Sequence, residues 1–267
     1  MNGNNPGTEL RNFIKELYPQ NNNNKDYDEL DSFVSRIDDA FIAEGKFVKL
    51  VYESSVNYML RRLINTAEYL NRKYETDEFP SGKFIEELRR FLSENTHIPS
   101  DKIEKMLVLV QSCLPLKNKK VKSPRKKRLI NEYQSKNELR CYICGKDVVE
   151  EEIEIEHIWP KTMGGATEDF NLKIACSVCN DNKKHYIDAS DFHYEQICLV
   201  SDKCDEKFPN EMKKEYQIAI WAKSDYTCIV CSKPASIVGR LNLGRINLSD
   251  SWHFLNIEAY CDEHTPE

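Results

Sequence analysis

The chain has 267 residues, of which 40% are hydrophobic and 31% charged, and a formal net charge of −6. This suits a folded globular protein of two or three domains with at least one buried core, and argues against a disordered or membrane-spanning chain. No apolar run approaches the roughly 20 residues needed to cross a bilayer, and the Asn-rich start, Met1 to Gly7, has no apolar stretch of signal-peptide type, so a cytoplasmic location with no membrane partner is expected.

In chain order, a short helix is predicted near Glu9–Tyr18, followed by a polar loop at Asn21–Asn24. Residues 31–114 read as helical. Val56, Met59, Leu60, Leu63, Ile64, Ala67 and Leu70 recur at three- and four-residue steps. Phe84, Leu88, Phe91 and Leu92 repeat the pattern after Pro80-Ser81-Gly82, and Ile103, Met106, Leu107 and Val110 form a third stripe. Asp101 is placed to cap this last helix, with Glu104 completing a capping box. Residues 1–114 are therefore expected to be a helical domain whose stripes form a bundle core, with partner docking or oligomerisation as a further use.

Residues 115–139 form a basic linker leading into a helix near Ile130–Leu139. Eight Lys or Arg fall in the twelve residues Lys117 to Arg128, and no acidic residue lies between Glu104 and Glu132. A charge run of this kind is usually a solvated face. Its position before the motifs below makes Lys119, Lys120, Lys122, Arg125, Lys126, Lys127 and Arg128 candidates for phosphate contact.

Nine of the ten cysteines lie between Cys141 and Cys261, and Cys113 stands apart. With no export signal, paired C-x-x-C spacings favour metal over disulfides. Cys141-Tyr-Ile-Cys144 and Cys176-Ser-Val-Cys179 can each set two thiolates on a tight knuckle and together supply a tetrahedral structural zinc shell. Four thiolates close that shell, so this zinc holds the fold and leaves substrate no open position.

Between the pairs, Glu152, Glu154 and Glu156 alternate with Ile153 and Ile155, which reads as a strand running into His157 and ended by Pro160. Gly164-Gly165 allows a tight turn, and Asn171-Leu172 precedes the second knuckle. Asn180 to His185 reads as a helix start, with Asn180, Lys183 and Lys184 on one face. Plain alternatives exist for each polar residue. His157 is a spare zinc ligand, Glu156 an exposed strand carboxylate, Asn180 a helix N-cap, and His185 a competing ligand.

The run C-x-x-C, E-H-I-x-P, G-G, N-L, C-x-x-C-N-x-x-K resembles the HNH endonuclease family in its zinc-bound form, over about 46 residues. The resemblance implies that His157 is the general base, that Glu156 and Asn180 hold a catalytic Mg²⁺ or Mn²⁺, and that Asn171 ties the loop and helps orient the base. It also implies 5′-phosphate and 3′-hydroxyl products. At position 156 the family more often carries Asp, and Glu is one methylene longer. The chemistry is coherent in itself. His supplies a base near neutral pKa, a carboxylate and an amide oxygen suit a hard cation, and Lys183 or Lys184 can hold a neighbouring phosphate.

The C-terminal segment holds Cys228-Ile-Val-Cys231 and Cys261-Asp-Glu-His264, a second zinc-compatible set. Leu255-Asn256 before Cys261 faintly echoes Asn171-Leu172. No acid–His pair stands between these knuckles, so a second finger of related shape without catalytic parts is expected. Cys198 and Cys204 have no knuckle spacing, and with Cys113 they read as buried or free thiols.

The expected architecture is α+β and mainly α: a helical domain (1–114), a basic linker (115–139), a treble-clef-like ββα-metal finger (140–186), a helical connector (187–222) and a zinc-binding module (223–267). The expected activity is hydrolysis of double-stranded DNA with two structural Zn²⁺ and a catalytic Mg²⁺ or Mn²⁺. The setting implied is a bacterial anti-phage or restriction effector whose helical domain docks an ATPase or sensor. The rivals are a non-catalytic zinc-finger binder of nucleic acid or protein and an RNA-cutting enzyme.

Overall fold

The structure, a computed structural model, describes residues 4–20, 28–40, 45–75, 80–136, 139–197 and 212–266. The described chain is mainly helical with two small two-stranded sheets. It divides into two compact units. The first comprises Met1–Ser32, Tyr52–Lys120 and His157–Asn171; the second comprises Phe33–Val51, Val121–Glu156 and Leu172–Glu267. The loop of the 140–186 finger thus clusters with the helical unit, and its knuckles with the other.

In the first unit, α1 (Pro6–Leu17) starts on a proline whose fixed φ suits a first helical turn. Its Leu10, Phe13 and Ile14, spaced one helical turn apart, are buried. α1 packs on α5 (Ile103–Cys113), which also packs on α4 (Pro80–Glu94). α3 (Lys46–Lys73) buries Val56, Leu60, Leu63, Ile64 and Ala67, and α4 buries Phe84, Leu88 and Leu92. Each fully buried leucine contributes about 1.5–3 kcal/mol relative to exposure. α3 is also tied to α1 by charge, since Arg11 and Lys15 both pair with Glu53 at 2.7 Å. Arg11 Nε donates to the buried Asn57 side chain at 2.8 Å.

The second unit holds the rest. α2 (Asp28–Ala40) brings in Asp38, whose carboxylate accepts from the backbone N–H groups of Gly45, Phe47 and Val48 at the start of α3. α6 spans Ser123–Ser135. Strands β1 (Ile153–His157) and β2 (Leu172–Cys176) pair and lead into α7 (Ser177–Lys183). α8 (Lys214–Lys223) buries Ile218 through Ala222 against α7 and β4. After the short α9 (Ala235–Val238), β3 (Asn242–Arg245) and β4 (Ile257–Tyr260) form an antiparallel pair with Gly244 opposite Glu258 and Arg245 opposite Ile257.

Three local expectations need correction. The basic run is the first half of α6, not a linker before it. Pro124 fits the first turn, and Lys and Arg are good helix formers. Asp101 lies in a 3-10 turn (Ser100–Lys102) ahead of α5 and does not cap it, while Glu104 is bonded to Arg89 at 2.6 Å. Asn180 is inside α7, whose N-cap is Cys176. Cys198 and Cys204 lie outside the described residues. No helix among those described is long and apolar enough to cross a membrane.

Candidate active site and metal centres

Cys141, Cys144, Cys176 and Cys179 are all buried, with their sulfurs within 4.8 Å of one another. Local backbone explains the gathering. Cys141 N–H donates to Lys146 O, and Gly145, at φ +71°, returns its N–H to Cys141 O, which closes the knuckle. Tyr142 N–H donates to Ile174 O and so anchors the knuckle beside β2, whose end delivers Cys176. The four thiols compete for protons. Contact with Cys144 pushes Cys141 up, contact with Cys141 pushes Cys179 up and pulls Cys176 down, and Cys144 falls to about 7 through Cys141. A soft tetrahedral sulfur set of this size fits Zn²⁺.

β1 and α7 place the oxygen donors. Alternation along β1 puts Glu154 and Glu156 on one face. On α7, Asn180 and Lys183 sit three positions apart and meet that face. Asn180 Nδ2 donates to the Glu154 carboxylate, and Lys183 Nζ to the Glu156 carboxylate at 2.9 Å. The Lys183 side chain is only 1% exposed and that of Glu156 12%, so this is a buried ion pair. Lys184 leaves this face. It follows the end of α7 with φ +52° and pairs with Glu215 at 3.5 Å, so the expected shared face with Asn180 and Lys183 is lost there.

His157 ends β1 and is buried. Its Nε2 lies 3.1 Å from the Thr167 hydroxyl, which fixes the ring orientation. Asn171 brackets the loop between them. Its Oδ1 accepts from Trp159 N–H at 2.8 Å, and its Nδ2 donates to Trp159 O and Ala166 O at 3.0 and 2.9 Å. The first turn of the chain reaches the same loop. Asn5 donates to Asn171 Oδ1 and accepts from Ala166 N–H, and Gly7 N–H donates to Gly164 O at 3.1 Å. A Cβ at Gly7 would lie 1.7 Å from Met163 O, so only glycine permits this approach.

Residues 141–193 match the family model for HNH endonuclease. The chain carries an HNH-family domain. No curated protein and no solved structure matches the chain.

Within the HNH domain the structure adds three residues beyond the sequence-based set. Glu154 had a signal, since it shares the strand face of Glu156. Thr167 and Asn5 had none, because each acts through a fold-dependent contact. Outside the family match, Lys119 and Lys120 are exposed in the first unit, and Lys122, Lys126, Lys127 and Arg128 are exposed in the second, with Arg125 half-buried. Lys126 Nζ donates to Ile153 O at 2.9 Å, which ties α6 to β1. His185 is described but belongs to neither Cys/His cluster. Cys113 is buried on α5, and burial pushes its thiol up to about 12.

Beyond the HNH domain, Cys228, Cys231, Cys261 and His264 form a second set with donor atoms within 4.8 Å. His264 Nδ1 is 3.1 Å from the Cys261 sulfur and 3.8 Å from that of Cys228. Burial opposes ionisation of Cys228, but backbone N–H groups of Cys231, Cys261 and Val230 outweigh it and bring the thiol to about 6. Three sulfurs and one imidazole nitrogen also fit zinc.

Proposed function

We propose that the protein is a divalent-metal-dependent endonuclease that hydrolyses phosphodiester bonds of double-stranded DNA. The observation that carries this reading is the placement of Asn180 and Lys183 on α7 against the carboxylates of Glu154 and Glu156, immediately before His157 on β1. His157, oriented by Thr167, is the base that takes a proton from the attacking water. Asn171 keeps the loop that presents it in one conformation. Glu156 and the Asn180 amide oxygen are the hard donors for Mg²⁺ or Mn²⁺, with Glu154 holding the Asn180 amide by its nitrogen. Such an ion, when bound, supplies charge stabilisation at the scissile phosphate. The exposed lysines and arginines of the basic run grip backbone, which positions without reading sequence.

The setting we favour is a cytoplasmic bacterial defence or restriction effector, with the helical unit as the docking piece for a protein partner. This part rests on the family resemblance. A second reading, a non-catalytic zinc-finger binder, draws on the Lys183–Glu156 pair, in which a buried ammonium already neutralises the carboxylate.

Incubating supercoiled plasmid, duplex RNA and single strands with the full chain and Mn²⁺ or Mg²⁺ decides between them. Nicking or linearisation of plasmid is expected, and His157→Ala should lower its rate by about 10²–10⁴. Equal inertness of wild type and His157→Ala on every substrate would support the binder, and RNA cleavage alone would replace DNA as substrate.

A further inference from the structure

The segment after the HNH domain repeats its backbone bond for bond. In the first knuckle Cys141 N–H bonds Lys146 O, Gly145 N–H bonds Cys141 O, and Val148 N–H bonds Leu139 O. In the second, Cys228 N–H bonds Lys233 O, Ser232 N–H bonds Cys228 O, and Ala235 N–H bonds Tyr226 O. Gly145 and Ser232 hold the same left-handed station, at φ +71° and +58°. Tyr142 N–H reaches Ile174 O as Ile229 N–H reaches Ala259 O, and Ile158 N–H reaches Asn171 O as Ile246 N–H reaches Asn256 O. Asn256 also repeats the bracket of Asn171. It accepts from Asn247 N–H at 2.8 Å and donates to Asn247 O and Ser251 O at 3.0 and 2.8 Å. Even the strand-to-helix contact recurs, with Asn242 Nδ2 on Thr265 Oγ1 where Asn180 Nδ2 meets Glu154.

This register places Gly244 at the station of Glu156, Arg245 at that of His157, Trp252 at that of Thr167 and Thr265 at that of Asn180. The acid's place is closed. A Cβ on Gly244 would lie 2.9 Å from Pro266 Cδ and 3.1 Å from the Tyr260 ring. The His157–Thr167 contact has become Arg245 over the Trp252 ring, 5.2 Å from its centroid, with Nη1 donating to Asp250 O at 2.7 Å. The Asp250 carboxylate is itself engaged by His253 at 3.0 Å and by Ser251 N–H. A guanidinium stays charged and cannot serve as a base, but it binds phosphate oxygens well.

We propose that residues 226–265 are a second HNH-type finger that cuts nothing and uses half-buried Arg245, at the histidine's station, to contact a phosphate of the duplex. This rests on the nuclease reading above, because finger one supplies the reason that the station faces a phosphate.

The test uses the full chain with His157→Ala, loaded with zinc and Mn²⁺, and measures anisotropy of a labelled DNA duplex across a salt series. Adding Arg245→Gln should weaken binding several-fold and flatten the plot of log affinity against log salt by about 0.9, the release of one phosphate's counterions. Arg245→Lys should restore most of that slope, which a merely structural role for the Trp252 stack would not do. Zinc at two per chain in all variants shows that the fold is kept. Binding and slope unchanged by Arg245→Gln would overturn the phosphate contact while leaving the nuclease reading intact. Residual His157→Ala cleavage that disappears with Arg245→Gln would overturn the silent role of the finger. Failure of the His157→Ala protein and of wild type to bind duplex would sink the nuclease reading and this contact together.

Discussion

The finger from Cys141 to Asn180 and the finger from Cys228 to Thr265 keep the same knuckle, the same Asn-bracketed loop and a four-ligand Cys/His centre, yet share none of the residues proposed for chemistry. What both retain is what folding needs: thiolates gathered by a left-handed knuckle residue, and an amide that satisfies three loop backbone groups. What the second has exchanged, Glu156 for Gly244 and His157 for Arg245, is dispensable for folding. Fold and reactivity are thus separable parts of this ββα plan.

The strongest way to break the comparison is to strip the shared part. Structural zinc contributes on the order of 10–16 kcal/mol in small zinc modules, so a chelator, or Cys144→Ser and Cys231→Ser taken singly, should each lose one equivalent of zinc and unfold its own finger. Metal analysis and circular dichroism would show this. Equal melting with and without zinc would remove the structural role from both centres. Next in size is the feature special to the first finger. Lys183→Met leaves the Glu156 carboxylate buried without its ammonium and should cost roughly 3–5 kcal/mol. Adding Glu156→Gln should recover part of that loss, as denaturant melts of the single and double variants would reveal. Smallest and most discriminating are the two brackets. Asn171→Ala and Asn256→Ala each strand loop backbone groups and should destabilise by about 1–3 kcal/mol. Only Asn171→Ala should also depress plasmid cleavage. An equal loss of cleavage from Asn256→Ala would erase the distinction between the fingers.

The parts of this molecule legible in the sequence were those with fixed spacing. Two C-x-x-C pairs, and C-x-x-C with C-x-x-H, announced the clusters found, because a knuckle needs only local geometry. Helical stripes such as Leu60, Leu63, Ile64 and Ala67 announced the buried faces. Residues whose role depends on distant chain were opaque. Lys183 reads as a phosphate grip by its helix position, yet folding spends its charge on Glu156, 27 positions away. Gly244 and Arg245 carry no motif, and only the bonds of Asn256 to Asn247 and Ser251 show which stations they occupy. The basic run was misplaced for the converse reason. Charge density was taken as a sign of open chain, where Pro124 and good helix formers build the first turns of α6.

The clasp of Asn5 and Gly7 on the loop of residues 164–171 has a mechanical corollary. The leading turn of α1 acts as a tether for the segment that fixes His157 through Thr167, while both sulfur-lined centres lie elsewhere in the chain. Lifting that helix end, whether by a bulky residue at Gly7 or by a protein that grasps α1, slackens the histidine's perch without disturbing a single thiolate.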